Sequence, residues 1–240
     1  LWVFHNTETV VYKIAPSRSS EVLRKHFGEN HKGGTLNVDR YSAYKVIAKT
    51  GLFILAFCWA HVRRDFLNYS KMNPSLEAWG LQWVEAINML YHINNQRRQH
   101  EPNAALFQQY DKALKKELTT MQQLAGTQQK DDTISVAAKK ILTSLENHWA
   151  GLTVFVEHPQ IPMDNNQAER SLRGSVIGRK NYYGSGSIWS SELAAVLFTL
   201  FETLKLAGIN IHTWLLAYFQ ECAMSGGVPP ASITPFLPWN

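Results

Sequence analysis

Gly33-Gly34-Thr35-Leu36-Asn37-Val38-Asp39 is a short strand-like run, introduced by two glycines and ending on an acid. Tyr41 to Lys49 should follow as a helix closed by Gly51, and the apolar run Leu52 to Phe57 reads as a buried strand. Cys58-Trp59-Ala60-His61-Val62-Arg63-Arg64-Asp65-Phe66 then looks helical. Strand, helix, strand and helix in that order is an α/β pattern in which some strands run parallel. Such proteins place functional groups beyond the carboxyl ends of their strands, which makes Asp39 a candidate. A simpler role, capping the helix that starts at Tyr41, stays open.

Upstream, Leu1 to His5 and Thr9 to Ile14 are β-branched and aromatic runs separated by Asn6-Thr7-Glu8, the pattern of a hairpin. Ser19 to Phe27 predicts a short helix stopped by Gly28. The chain opens at Leu1, inside a strand-like run and not at a Met, which predicts that it is cut from something longer. Its 240 residues allow one large domain, or a domain with a sizeable insertion. Hydrophobic content of 45% and eight Trp argue against disorder. A net charge of +5 allows a polyanionic partner without demanding one. Cys58 and Cys222 are too few for a disulfide framework, so a reducing cytoplasm is the default compartment. No apolar run approaches the roughly 20 residues of a membrane span.

From about Asn73 to Ala150 the period changes. Leu76, Trp79, Trp83, Ile87 and Leu90 recur at helical spacing, as do Leu106 to Met121 and Ile134 to Trp149, so three helices should form an all-helical insertion. The expected organisation is a first core part over 1–72, the insertion over 73–150, a second core part over 151–187 and a C-terminal helical element over 188–240.

The second core part carries Asp164-Asn165-Asn166-Gln167-Ala168-Glu169-Arg170, and continues through Arg173 and Arg179-Lys180-Asn181 to Tyr183. Asp164 and Gln167 suit a capping box at a helix start, and Ala168, Leu172 and Val176 make one apolar stripe. Gly174 and Gly178 interrupt the pattern, which should leave Arg179 to Asn181 on a turn. Glu169 and Arg173, four residues apart, suit an ion pair on a solvated face. They equally suit a carboxylate set among phosphate-binding guanidinium groups. Asp39 and Glu169, brought together from distant segments, would suit a hard divalent cation such as Mg²⁺. Cys58 and His61 alone make a weak zinc site, because a structural zinc ion takes four ligands.

Four motifs carry a resemblance. They are Asn37 to Tyr44, Cys58 to Phe66, Asp164 to Arg173, and Gly178-Arg179-Lys180-Asn181, and they come in the order of the bacterial insertion sequence 66 family transposases. Those enzymes are DDE transposases with a ribonuclease-H-like fold, and the similarity runs over nearly the whole chain, to Leu237-Pro238-Trp239-Asn240. The resemblance implies that Asp39 and Glu169 are the second and third acids of the triad and ligate Mg²⁺ or Mn²⁺, two ions in the complete enzyme. It implies DNA contacts from His61, Arg63, Arg64, Arg170, Arg173, Arg179, Lys180 and Asn181, and a structural or DNA-facing role for Cys58. The partners expected are double-stranded transposon ends and target DNA, bound by a homo-oligomer on the bacterial nucleoid. The family's first acid lies on a strand before Leu1, and Glu8, Glu21 and Glu29 fall in turn or helix positions unable to replace it. The segment alone should therefore be inactive. A non-catalytic DNA-binding remnant and a purely structural interaction module remain as alternatives.

Overall fold

The Asn6 side chain folds the first turn. Its Oδ1 accepts the N–H groups of Glu8 at 2.9 Å and Thr9 at 2.7 Å, which reverses the chain between β1 (Trp2–His5) and β2 (Val10–Lys13). The two strands pair antiparallel with Val3 opposite Tyr12. The computed structural model describes residues 1–28, 31–182 and 184–239. Glu29, Tyr183 and Asn240 lie outside the described residues. The chain divides into two compact units, one of residues 1–18 with 166–240, the other of residues 19–165.

In the second unit, α1 (Glu21–Phe27) ends at Gly28, whose φ of 70° suits a residue without a Cβ. The chain then runs β3 (Gly34–Val38), α2 (Ser42–Ala48) and β4 (Phe53–Phe57), and the two strands pair in parallel with Val38 opposite Phe57. The predicted strand-helix-strand order is thus found, within one residue at most boundaries. α3 (Trp59–Met72) buries Trp59, Val62, Phe66 and Ser70 along one stripe. It packs against α4 (Glu77–Arg97) so closely that a Cβ on Gly80 would stand 2.7 Å from Ser70 Cβ. Phe66 stacks on Trp83 with centroids 4.9 Å apart. Gln128 Oε1, on α5 (Ala105–Gln129), accepts both Trp79 Nε1–H and Trp83 Nε1–H, which satisfies two indoles in an otherwise apolar layer. α6 (Val136–Asn147), α7 (Trp149–Leu152) and α8 (Val154–Glu157) complete the block. All three predicted helices are present. Their core is continuous with that of the parallel pair, since Val38 and Phe57 pack in the same cluster as Trp83, Leu114 and Leu142.

The other unit builds on the hairpin. α9 (Asn166–Tyr182) contributes Leu172 to a small core of Val10, Tyr12 and Ala195, and α10 (Ile188–Leu206) covers β2. Thr203 Oγ1 accepts the Val10 N–H at 3.1 Å and Thr199 Oγ1 accepts the Tyr12 N–H at 2.9 Å. The spacing explains the match. Four residues of helix rise about 6 Å, and two residues of strand advance about 6.8 Å, so two threonines on one helix face meet two outward amides of the strand. Ser187 caps α10 in a capping box with Ser190, and α10 and α11 (Ile211–Met224) meet at a bend of 120°. Among the described residues no single helix is long and apolar enough to cross a membrane. Trp214 on α11 donates from Nε1 to Phe236 O and pins the Pro-rich tail.

Two expectations about α9 are corrected. The helix runs through Gly174 and Gly178, so Arg179, Lys180 and Asn181 lie in its last turns and not on a separate turn. Packing overrides the glycine penalty here, because Leu172 is held against the hairpin core and basic side chains favour a helix C-terminus. The apolar stripe is also rotated. Ser175 is buried at 4% exposure while Val176 stands 39% exposed. The serine is tolerated because its hydroxyl donates to Leu172 O at 2.9 Å, and the neighbouring Ser171 O accepts the Tyr12 hydroxyl at 2.6 Å.

Candidate functional site

Asp39 follows the last residue of β3, where the parallel ladder ends. The Cys58 N–H donates to Val38 O at 3.1 Å, so the ladder runs one rung past Phe57 and sets Cys58 beside Asp39. Asp39 is half-buried, and its Oδ1 accepts the Tyr41 N–H at 2.9 Å, directly before α2. That bond turns the chain ahead of α2, whose N-cap is Tyr41 with no side-chain cap bond, so Asp39 does not cap the helix.

Residues 162–164 are strapped across this edge. Asn37 Nδ2 donates to Pro162 O at 2.6 Å and to Asp164 O at 3.1 Å, and the Trp59 N–H donates to Met163 O at 2.9 Å between them. Three successive carbonyls are thus fixed by the last turn of a strand and the first turn of a helix. α9 begins at Asn166, so Asp164 does not directly precede the helix as the predicted cap would. Asp164 turns its charge instead towards Tyr91 and Cys58. Burial pushes the Tyr91 hydroxyl far above its ordinary range and the Asp164 carboxylate adds to the shift, although the hydroxyl makes no hydrogen bond of normal geometry. Burial also pushes the Cys58 thiol up, against the backbone N–H groups of Asn165, His61 and Ala60 that favour a thiolate, and Asp164 adds to the rise. Cys58, 1% exposed, is therefore a protonated packing residue at the head of α3.

On α3, His61 is half-buried and Arg63 and Arg64 are exposed. Arg63 acts on Tyr91 with the sign opposite to Asp164. Glu169, in the other compact unit, lies half-buried in the first turn of α9, while Arg170, Arg173, Arg179, Lys180 and Asn181 are exposed along that helix. Among the described residues no three His, Cys, Asp or Glu side chains gather as a metal-binding group. Asp39 and Glu169 are oxygen donors of the type Mg²⁺ takes, and they number two.

A family model described as "Transposase IS66 family" matches residues 1–193, which include every candidate site residue. The chain belongs to the IS66 transposase family. Two relatives of this IS66 member come from Sinorhizobium fredii. The uncharacterized protein y4jD is 32% identical over 96% of this chain and 45% of its own length, and the uncharacterized protein y4qI is 30% identical over 96% and 43%. The chain thus spans less than half the length of these curated relatives. No solved structure matches it.

The sequence motifs of this IS66 member contain Asp39, Cys58 and Glu169, and also Asn37, Trp59 and Asp164 of the strap, but give no sign that these three are tied together. Asn37 does its work through two carbonyls more than 120 residues away, and Tyr91 comes from the helical block. Asn37 beside an acid at a strand end is a signal available in the sequence. Tyr91 on a helix of mixed pattern gives none.

Proposed function

We propose that this chain is the catalytic segment of a DDE transposase, with a ribonuclease-H-like core interrupted by the helical block over 73–150. The reaction is hydrolysis at the transposon ends, followed by attack of the freed 3′-hydroxyl on target DNA. The observation that supports it most is the strap, which anchors the backbone of Asp164, five residues ahead of Glu169 along the chain, at the strand edge that carries Asp39. Asp39 and Glu169 would hold divalent ions, Mg²⁺ or Mn²⁺ and two in the complete enzyme, which supply an activated water or 3′-hydroxyl and neutralise the leaving oxygen. Arg173, Arg179 and Lys180 grip backbone phosphates, with Arg170 and Asn181 beside them, and His61, Arg63 and Arg64 contribute from α3. Cys58 packs the site. The complete protein works in the cytoplasm, on the nucleoid, as a homo-oligomer on paired DNA ends.

Glu169→Gln or Asp39→Asn in the complete transposase should abolish strand transfer with circular dichroism unchanged. Retained strand transfer in either variant would overturn the assignment. A non-catalytic DNA-binding role for this segment is the second reading, favoured by the hydrogen bond that already engages Asp39 Oδ1. Strand transfer by the complete transposase that is lost in Asp39→Asn and Glu169→Gln would exclude it.

A further inference from the structure

A shallow cleft of about 390 Å³ lies beside β4, lined by none of the residues assigned above. Its floor is Leu55 and Phe57. One wall is Lys45 on α2 and Lys49 directly after it, and the other is Asn147 and His148, where α6 gives way to α7. The floor is closely packed: Phe57 meets the His148 ring edge-on at 4.9 Å, and a Cβ on Gly151 would stand 2.4 Å from Phe57 Cδ2.

The hydrogen bonds of His148 fix its protonation. Nδ1 lies 2.7 Å from Ser144 O, which can only accept, so Nδ1 carries the proton. Nε2, 2.9 Å from Lys45 Nζ, is then the acceptor, and the neutral ring steers the Lys45 ammonium at the mouth of the cleft. Burial and the positive charges of Lys45 and Arg40 keep the His148 pKa below its ordinary value. Arg40 is itself paired with Asp65 on α3 and donates to Ser144 Oγ. That leaves Lys45 and Lys49, one helical turn apart and about 6 Å along the axis, as exposed cations over an apolar floor.

We propose that this cleft is a subsite for the phosphodiester backbone of a nucleic acid. Lys45 and Lys49 bind phosphates, and the sugar between them rests on Leu55 and Phe57. An apolar floor under paired ammonium groups matches a chain that alternates sugar and phosphate. Phe57 pairs with Val38, the residue before Asp39, so the cleft adjoins the strand edge of the candidate site. The inference rests on the transposase reading and adds to it a contact that none of the motifs contains.

The test is fluorescence anisotropy of residues 1–240 with a labelled duplex of mixed sequence, titrated between about 50 and 200 mM salt. Each phosphate contact contributes about 0.9 to the slope of log K against log salt, so Lys45→Ala/Lys49→Ala should flatten that slope by about 1.8. Both lysines are exposed, and the variant should keep the wild-type unfolding midpoint. In wild type, the duplex should also raise the His148 pKa observed by NMR, because phosphate takes the Lys45 hydrogen bond and adds negative charge. An unchanged slope overturns the subsite and leaves the DNA reading standing. Absence of duplex binding by wild type overturns both. If millimolar orthophosphate shifts His148 as the duplex does while the slope stays unchanged, the cleft takes free phosphate and the polynucleotide assignment is wrong.

Discussion

Arg97 is fully buried at the end of α4, and its replacement makes the sharpest test of how the helical block supports the strap. Its Nη1 donates to Asp111 Oδ1 at 2.7 Å and to Val156 O at 3.2 Å, and Nη2 donates to Phe155 O at 2.6 Å. One guanidinium therefore ties α4 and α5 to α8, the segment that leads into residues 162–164. Arg97→Met keeps most of the side-chain volume and removes every donor. Asp111, with its side chain 15% exposed, would retain Lys115 Nζ at 2.9 Å from Oδ2, and two carbonyls would lose their donors. Removing one partner of a buried pair costs about 3–5 kcal/mol, and the surviving lysine places this case near 3 kcal/mol. Arg97→Met/Asp111→Leu removes both charges and should recover at least half of that loss. Urea unfolding followed by tryptophan fluorescence measures both variants, since Trp79 and Trp83 lie in the same core. A single variant that loses less than about 1 kcal/mol, or a double variant as unstable as the sum of its parts, would refute the reasoning.

Thr203→Val keeps the shape of the side chain but leaves the buried Val10 N–H and C=O without partners at 3.1 and 3.2 Å. It should cost about 2 kcal/mol in urea unfolding, whereas Thr203→Ser should cost less than half as much. Stability should also fall with pH below about 6.5, because burial lowers the folded-state pKa of both His5 and His148. Their neutral forms are favoured in the fold, so this contribution is complete above the ordinary value of 6.5 and is lost as pH falls through the folded-state pKa values. His148→Gln should reduce the difference between urea midpoints at pH 7.5 and 5.5, and an unchanged difference would sink the attribution.

The parts of the fold legible in the sequence are those set by neighbours along the chain. The hairpin follows from β-branched runs around Asn6, and the parallel pair from two apolar runs separated by a helix of fitting length. Asp39 is visible because a strand end is a local feature. The rotation of α9 is not visible, because Ser175 is made tolerable as a buried residue by its hydroxyl's bond to Leu172 O, which spacing alone does not report. Its helical continuity past Gly174 and Gly178 likewise comes from tertiary packing. The Asn37 strap and the Lys45–His148 pair span more than 100 residues each, and no periodicity reports a hydrogen bond across that distance.

The two threonines on α10 give the hairpin a direction. An exposed strand edge pairs readily with any passing strand, and proteins block it with charges, prolines or bulges. Here the block is made of hydroxyls, which occupy the outward N–H groups of Val10 and Tyr12 and the Val10 carbonyl. Alternation across the pair turns the backbone groups of Val3 and His5 to the opposite side. The hairpin is thus closed along β2 at those groups, and its other edge lies along β1.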